Sequence, residues 1–129
     1  MTMKKEIITK DAPDAIGPYS QGVSVNTMVF TSGQLPINPV SGNIPEGIAA
    51  QTEQSLKNIK AVLEAAGSGL DMVLKTTVFL QNMDDFAEMN RVYETFFAGS
   101  IFPARSAVEV ARLPKGALVE IEALAIVRD

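Results

Sequence analysis

The chain contains no cysteine, no histidine and no tryptophan. Each absence removes a class of chemistry. Without cysteine there is no disulfide, no thiolate nucleophile and no iron–sulfur cluster. Without histidine there is no Ser-His-Asp triad. With neither, a zinc site or a haem lacks its ordinary ligands. Charge of one sign is also scarce: 11 basic side chains against 15 acidic ones give a net charge of −4. No basic run is longer than Lys4-Lys5, which disfavours nucleic acid as a partner. No apolar run approaches the roughly 18 residues of a membrane helix, and the longest, Ala117 to Val127, is broken by Glu120 and Glu122. The opening MTMKKEIITKDAPDA has no apolar segment behind its lysines. The expectation is therefore a protein without a secretory signal, without a membrane anchor and cytoplasmic. Whatever chemistry remains falls to Arg, Lys, Asp, Glu, Tyr, Ser, Thr, the backbone, or a metal held by oxygen.

What is present is one domain's worth of ordinary globular sequence, 129 residues of which 47% are apolar. It is read as a single domain over residues 1–129. Proline and glycine punctuate it at Gly17-Pro18, Pro36, Pro39, Gly42, Pro45 to Gly47, Gly67 to Gly69, Pro103 and Pro114 to Gly116. Between these breaks the pattern predicts a weak strand over residues 5–9 and a hairpin, 22–25 with 28–31, turning at Asn26-Thr27. An irregular loop over 35–45 carries three prolines. Ile48, Leu56, Ile59, Val62, Leu63 and Ala66 then recur at helical spacing over about 47–66, and the glycines after them end the helix. A β-rich stretch covers 72–80. A second helix follows, capped by Asp84 or Asp85, with Phe86, Met89, Tyr93, Phe96 and Phe97 as its apolar face. Strands over 106–112 and 117–127 close the chain. This order predicts an α+β fold, a mixed sheet with two helices packed on one face. Mean hydropathy is slightly positive, +0.15, and the second sheet face has no helix to cover it. A homo-oligomer burying that face is expected, against a monomer with a polar outer face.

A few residues stand out as chemistry-bearing. Alternation along the last strand puts Glu120 and Glu122 on one face with Leu118, Leu124 and Ile126. A carboxylate among aliphatics has its pKa pushed up, which suits proton transfer near neutrality; a solvated sheet edge or ion pairs would explain the same residues. Arg105 follows the rigid Pro103-Ala104 and could grip a carboxylate bidentately, or simply pair with Glu109, Glu120 or Glu122. Tyr19, in Gly17-Pro18-Tyr19-Ser20, could line a pocket or pack as an ordinary tyrosine. Ser32 and the Gly33 amide could receive an anion or a carbonyl oxygen, or form only a turn. Asn90 sits beside the apolar stripe of the second helix. No GxGxxG or GxxxxGK[ST] loop is present.

Taken together, Ile16-Gly17-Pro18-Tyr19-Ser20-Gln21-Gly22, Thr31-Ser32-Gly33-Gln34-Leu35-Pro36, Lys75-Thr76-Thr77-Val78-Phe79, Phe102-Pro103-Ala104-Arg105-Ser106, Val108-Glu109-Val110, Leu113-Pro114 and Val119-Glu120-Ile121-Glu122 resemble the RidA-type family of the YjgF/YER057c superfamily along nearly the whole chain. The resemblance implies a chorismate-mutase-like α+β fold and a homotrimer with sites in the clefts between subunits. It implies a hydrolase acting on C–N bonds, a deaminase of reactive enamines and imines such as 2-aminoacrylate. Pyridoxal-phosphate dehydratases release these species, and the products are 2-keto acids and ammonia. No cofactor and no metal are implied. By position, Arg105 would bind the substrate carboxylate and Glu120 would hold or activate water. Tyr19, Ser32, Gly33 and Asn90 would line the pocket. Many relatives carry cysteine where this chain has Ala107, which leaves only that residue's backbone to serve the site. The competing reading is a non-catalytic module that binds a 2-keto acid or similar metabolite in the same cleft. A ribonuclease is disfavoured by the acidic charge and the lack of histidine.

Overall fold

The computed structural model describes residues 3–128. Six strands form one sheet: β1 (Lys5–Ile7), β2 (Gly22–Val25), β3 (Met28–Thr31), β4 (Val73–Leu80), β5 (Ala104–Glu109) and β6 (Val119–Ile126). Their spatial order is β1-β2-β3-β6-β4-β5. All neighbours are antiparallel except β4 and β5. Helix α1 (Ile48–Ala65) carries the chain from β3 to β4, and α2 (Phe86–Phe97) makes the crossover between the parallel pair. The mixed sheet under two helices is the expected α+β arrangement.

Local chemistry explains the elements. The hairpin turns at Asn26, whose φ of 53° is one that asparagine tolerates. Leu56, Ile59, Val62 and Leu63 of α1 are fully buried, with Leu56, Ile59 and Leu63 in one core with Val78, Leu80, Met89, Phe97, Val119 and Ile121. A polar row on the same helix fastens the proline-rich loop. The Asn58 amide donates to the carbonyls of Leu35 and Ile37, both at 3.0 Å. Gln51 donates to the Pro45 carbonyl at 3.0 Å and accepts from the Leu118 amide at 2.8 Å.

The last strand is shorter than read, Val119–Ile126 against 117–127, α1 and β4 differ by a residue at their ends, and three further departures have a local cause. β1 stops at Ile7, because the Thr9 amide turns aside to the Gln21 side chain at 2.8 Å. β5 runs over Ala104–Glu109, not 106–112: the Val110 amide still reaches the Leu80 carbonyl, but Leu113 is then taken by the Gln81 side chain. The second helix is not capped by an aspartate side chain. Asn82 accepts from the Asp84 amide at 2.8 Å and caps a short 3₁₀ turn over Met83–Asp85, which leads into α2.

β6 decides which residues meet. Val119, Ile121, Ala123 and Ala125 are buried under the helices, whereas Glu120, Glu122, Leu124 and Ile126 lie half-buried on the opposite, helix-free face. Phe30 and Met28 on β3 are exposed. By register Phe30 lies opposite Leu124, and Phe79 on β4 opposite Glu120.

Candidate functional site

Arg105 lies on β5, an edge strand, opposite the buried Thr76 of β4. The side chain turns to the helix-covered side and meets α2. Its Nη1 donates to Asn90 Oδ1 at 2.6 Å. Its guanidinium carbon lies 4.8 Å from the Tyr93 ring centre and 5.4 Å from that of Phe86, within the range where an aromatic face attracts a cation. Asn90, Tyr93, Glu94, Phe102, Pro103 and Arg105 line a hollow of about 500 Å³. The ion pairs among the described residues are Lys57–Glu53, Arg91–Glu88 and Arg128–Asp71, and none uses Arg105. The ordinary explanation of Arg105, a partner at Glu109, Glu120 or Glu122, is therefore not what the fold contains. Its charge is held by neutral groups and remains available to an anion.

Glu120 sits on the other face of the sheet. Its carboxylate lies over Gly33: a Cβ placed on that glycine would come within 2.5 Å of Oε2. Burial, reinforced by repulsion from Glu122, raises its pKa above the ordinary carboxylate value. Gly33 is held in place by its neighbours, since Gln34 and Ile121 exchange two backbone hydrogen bonds at 2.7 and 3.2 Å. The Gly33 amide makes no hydrogen bond among the described residues, so it is a free donor beside that carboxylate. The Ser32 hydroxyl donates to the Ser20 carbonyl at 2.6 Å. It ties the strand end to the Gly17-Pro18-Tyr19-Ser20 turn. Half-exposed Tyr19 and Gly33 line a hollow of about 70 Å³ with Gln34, Leu35, Ile37 and Lys115.

Six of the seven sequence-selected residues thus separate into two groups, and Ala107 joins neither. Tyr19, Ser32, Gly33 and Glu120 come together, as do Asn90 and Arg105. Ala107, two positions along β5 from Arg105, packs against the main core instead of lining the arginine hollow. One chain does not bring Arg105 and Glu120 into a common cleft. Phe86 and Tyr93, read from the sequence as core, do pack in or against it, but they also face the Arg105 guanidinium. Their signal was the spacing 86, 90, 93, which puts both rings on one helix face with Asn90. Among the described residues no group of three or more Asp or Glu side chains is placed to hold a metal ion.

The fold and the order of the motifs along it define a protein of the RidA type. The chain belongs to the family described as Endoribonuclease L-PSP, whose model matches residues 9–127. It is 54% identical over 128 residues to the 2-iminobutanoate/2-iminopropanoate deaminase of Escherichia coli K12, covering 98% of this chain and all of that one. Among solved structures, the YjgF gene product of E. coli superposes with a TM-score of 0.94 at 54% identity, over 96% of this chain and 99% of that one. E. coli TdcF, solved with bound serine, superposes with a TM-score of 0.93 at 49% identity, over 97% and 99%. No helix of the described residues is long and apolar enough to cross a membrane.

Proposed function

We propose that this chain, acting as one RidA-like domain over residues 1–129, hydrolyses reactive 2-imino acids and their enamine tautomers to 2-keto acids and ammonia. The observation that carries this reading is an arginine fixed by neutral neighbours and, among the described residues, left without a carboxylate partner. It is made for a small molecule that carries a carboxylate. The 54% identity to a protein named 2-iminobutanoate/2-iminopropanoate deaminase supports the same substrate class, and a relative solved with serine supports a small amino-acid-like ligand.

The chemistry asks little of the protein. An imine carbon is already electrophilic when its nitrogen is protonated, so water adds directly. The resulting carbinolamine expels ammonia and leaves the keto acid. Arg105 anchors the substrate carboxylate through charge-assisted hydrogen bonds, each worth roughly 1.5–3 kcal/mol. Glu120, desolvated above Gly33, takes a proton from the attacking water, returns it to the departing nitrogen, and takes up the hydroxyl proton as the carbonyl forms and ammonia leaves. The Gly33 amide and Tyr19 border the same reacting centre.

Both halves are needed at one substrate, and the sheet holds them apart within a chain. The reading therefore includes a homotrimer in which the arginine edge of one subunit meets the glutamate face of the next. The partly apolar open face, with Phe30, Met28 and Val108 exposed, supports such burial. The expected setting is the cytoplasm, where pyridoxal-phosphate dehydratases release such imines.

The test couples the purified protein to a serine or threonine dehydratase and follows keto-acid release. Acceleration by the wild type that is lost in Arg105→Ala is expected. A wild-type protein that binds 2-ketobutyrate without accelerating release would instead make it a metabolite-binding module.

A further inference from the structure

Arg105 carries its charge on a long, flexible stem, yet it is held to one orientation without an ion pair among the described residues, although Glu94 lines the same hollow. Asn90 fixes one guanidinium nitrogen. The opposing surface is the Tyr93 ring, 4.8 Å beneath the guanidinium carbon. That ring is itself held from two directions. Its hydroxyl lies 2.7 Å from Thr76 Oγ1 in a fully buried hydrogen bond. Its face is neighboured by Phe97, with ring centres 4.6 Å apart and planes tilted by 37°. Thr76 is the residue opposite Arg105 in the β4–β5 register. Arginine, tyrosine and threonine thus form a closed circuit across two strands and a helix. Both Thr76 and Tyr93 are nearly inaccessible, at 1% and 5% exposure. The hydroxyl is committed to the interior.

From this circuit we infer that Tyr93 is a positioning residue for Arg105: its ring is the floor on which the guanidinium lies, and its hydrogen bond to Thr76 sets the angle of that floor. The inference rests on the reading that Arg105 grips the substrate carboxylate. A neutral floor suits that task better than an acidic one. A carboxylate beside Arg105 would also immobilise it, but would compete with the ligand for its donors. An aromatic face holds a cation while consuming none of its N–H groups. The other donors of the fork stay free for the two oxygens of a carboxylate.

The experiment measures KM and kcat in the dehydratase-coupled assay, and the Kd of 2-ketobutyrate by calorimetry. The proteins are wild type, Arg105→Ala, Tyr93→Phe, Thr76→Val, the Tyr93→Phe/Thr76→Val pair and Tyr93→Leu. Cutting the hydroxyl bond from either end should raise KM and Kd about threefold, with kcat within about twofold, and the double variant should be no worse than either single one. Removing the ring in Tyr93→Leu should raise both about tenfold. A purely structural role would lower melting temperature and leave KM and Kd alone. Unchanged KM and Kd in Tyr93→Phe and Thr76→Val, alongside lost binding in Arg105→Ala, overturn the inference and leave the carboxylate-grip reading standing. Wild-type binding by Arg105→Ala overturns that reading, and the inference with it. Should Tyr93→Leu fail to fold, the two volume-preserving variants decide the matter by themselves.

Discussion

The edge around Arg105 and the face around Glu120 treat opposite charges in opposite ways. At the edge a cation is cradled by an amide oxygen and two aromatic rings, and keeps its charge whole. On the face an anion is partly stripped of water and set near a second carboxylate, so its protonated form gains ground. The strand pleat prevents these charges from cancelling. Thr76, Val78 and Leu80 alternate towards the helices, and Arg105 follows Thr76 in register; Glu120 alternates against Val119 and Ile121 and so points away. Had both residues faced one way in one chain, the simplest outcome would have been an intramolecular ion pair with neither group available. The lesson is that a sheet can store two reactive charges a strand or two apart, provided it keeps them on opposite faces. In the trimer proposed above, a second subunit would bring them together.

Substitutions can break either half of this comparison, and their effects should fall in order. Arg105→Ala should lower kcat/KM by about 100- to 1,000-fold, the loss expected for charge-assisted bonds to a carboxylate, with the melting temperature within about 2 °C of wild type in a thermal scan. Arg105→Lys should recover little, because a point charge replaces a planar fork. Glu120→Gln should slow turnover about 100-fold and remove one limb of the pH–rate profile. Its effect on stability runs the other way. A carboxyl whose folded-state pKa is raised costs nothing below its unfolded value, and its penalty grows as pH rises through the folded value. The amide variant should therefore be slightly more stable at neutral pH, the gain being small because the group is only half-buried and solvent screens it. The two curves should converge in acid, as denaturant melts at several pH values would read.

Smaller effects sharpen the picture. Gly33→Ala has no unfavourable backbone angle to overcome, but its methyl would occupy the seat of the Glu120 carboxylate. The side chain must move. A fall in kcat of about tenfold is expected, with a stability loss of about 1 kcal/mol or less. Asn90→Ala removes one anchor of the guanidinium and should raise KM about fivefold, with kcat nearly unchanged. At the far end of the scale, Asp71→Asn breaks a solvent-exposed pair with Arg128 and should leave turnover unaltered. Loss of activity there would show that the two halves are less local than described.

Much of this was legible in the sequence, for identifiable reasons. The β2–β3 hairpin has the bounds that its turn residues indicated. The alternation of β6 was strong enough to put Glu120 and Glu122 on one face with Leu124 and Ile126. β5 was different. Ala104-Arg105-Ser106-Ala107-Val108-Glu109 has no apolar alternation, because an edge strand buries little on either side, so nothing in it told which way Arg105 would turn. Asp84 and Asp85 were good capping residues by type, but the turn chemistry of Asn82 prevailed. Phe86 and Tyr93 read as core because an aromatic at helical spacing usually is. Their contact with Arg105 depends on how β5, the next element along the chain, packs back against α2.

In the proposed trimer one working site draws Arg105 from one chain and Glu120 from another. Complementation tests it most directly: Arg105→Ala and Glu120→Gln chains, each nearly inactive, are unfolded, mixed in equal amounts and refolded together. In randomly mixed cyclic trimers about one site in four receives an intact arginine and an intact glutamate from different chains, so about a quarter of wild-type activity should return. Activity no higher than that of the separately refolded variants, in samples confirmed to have mixed, would contradict the account.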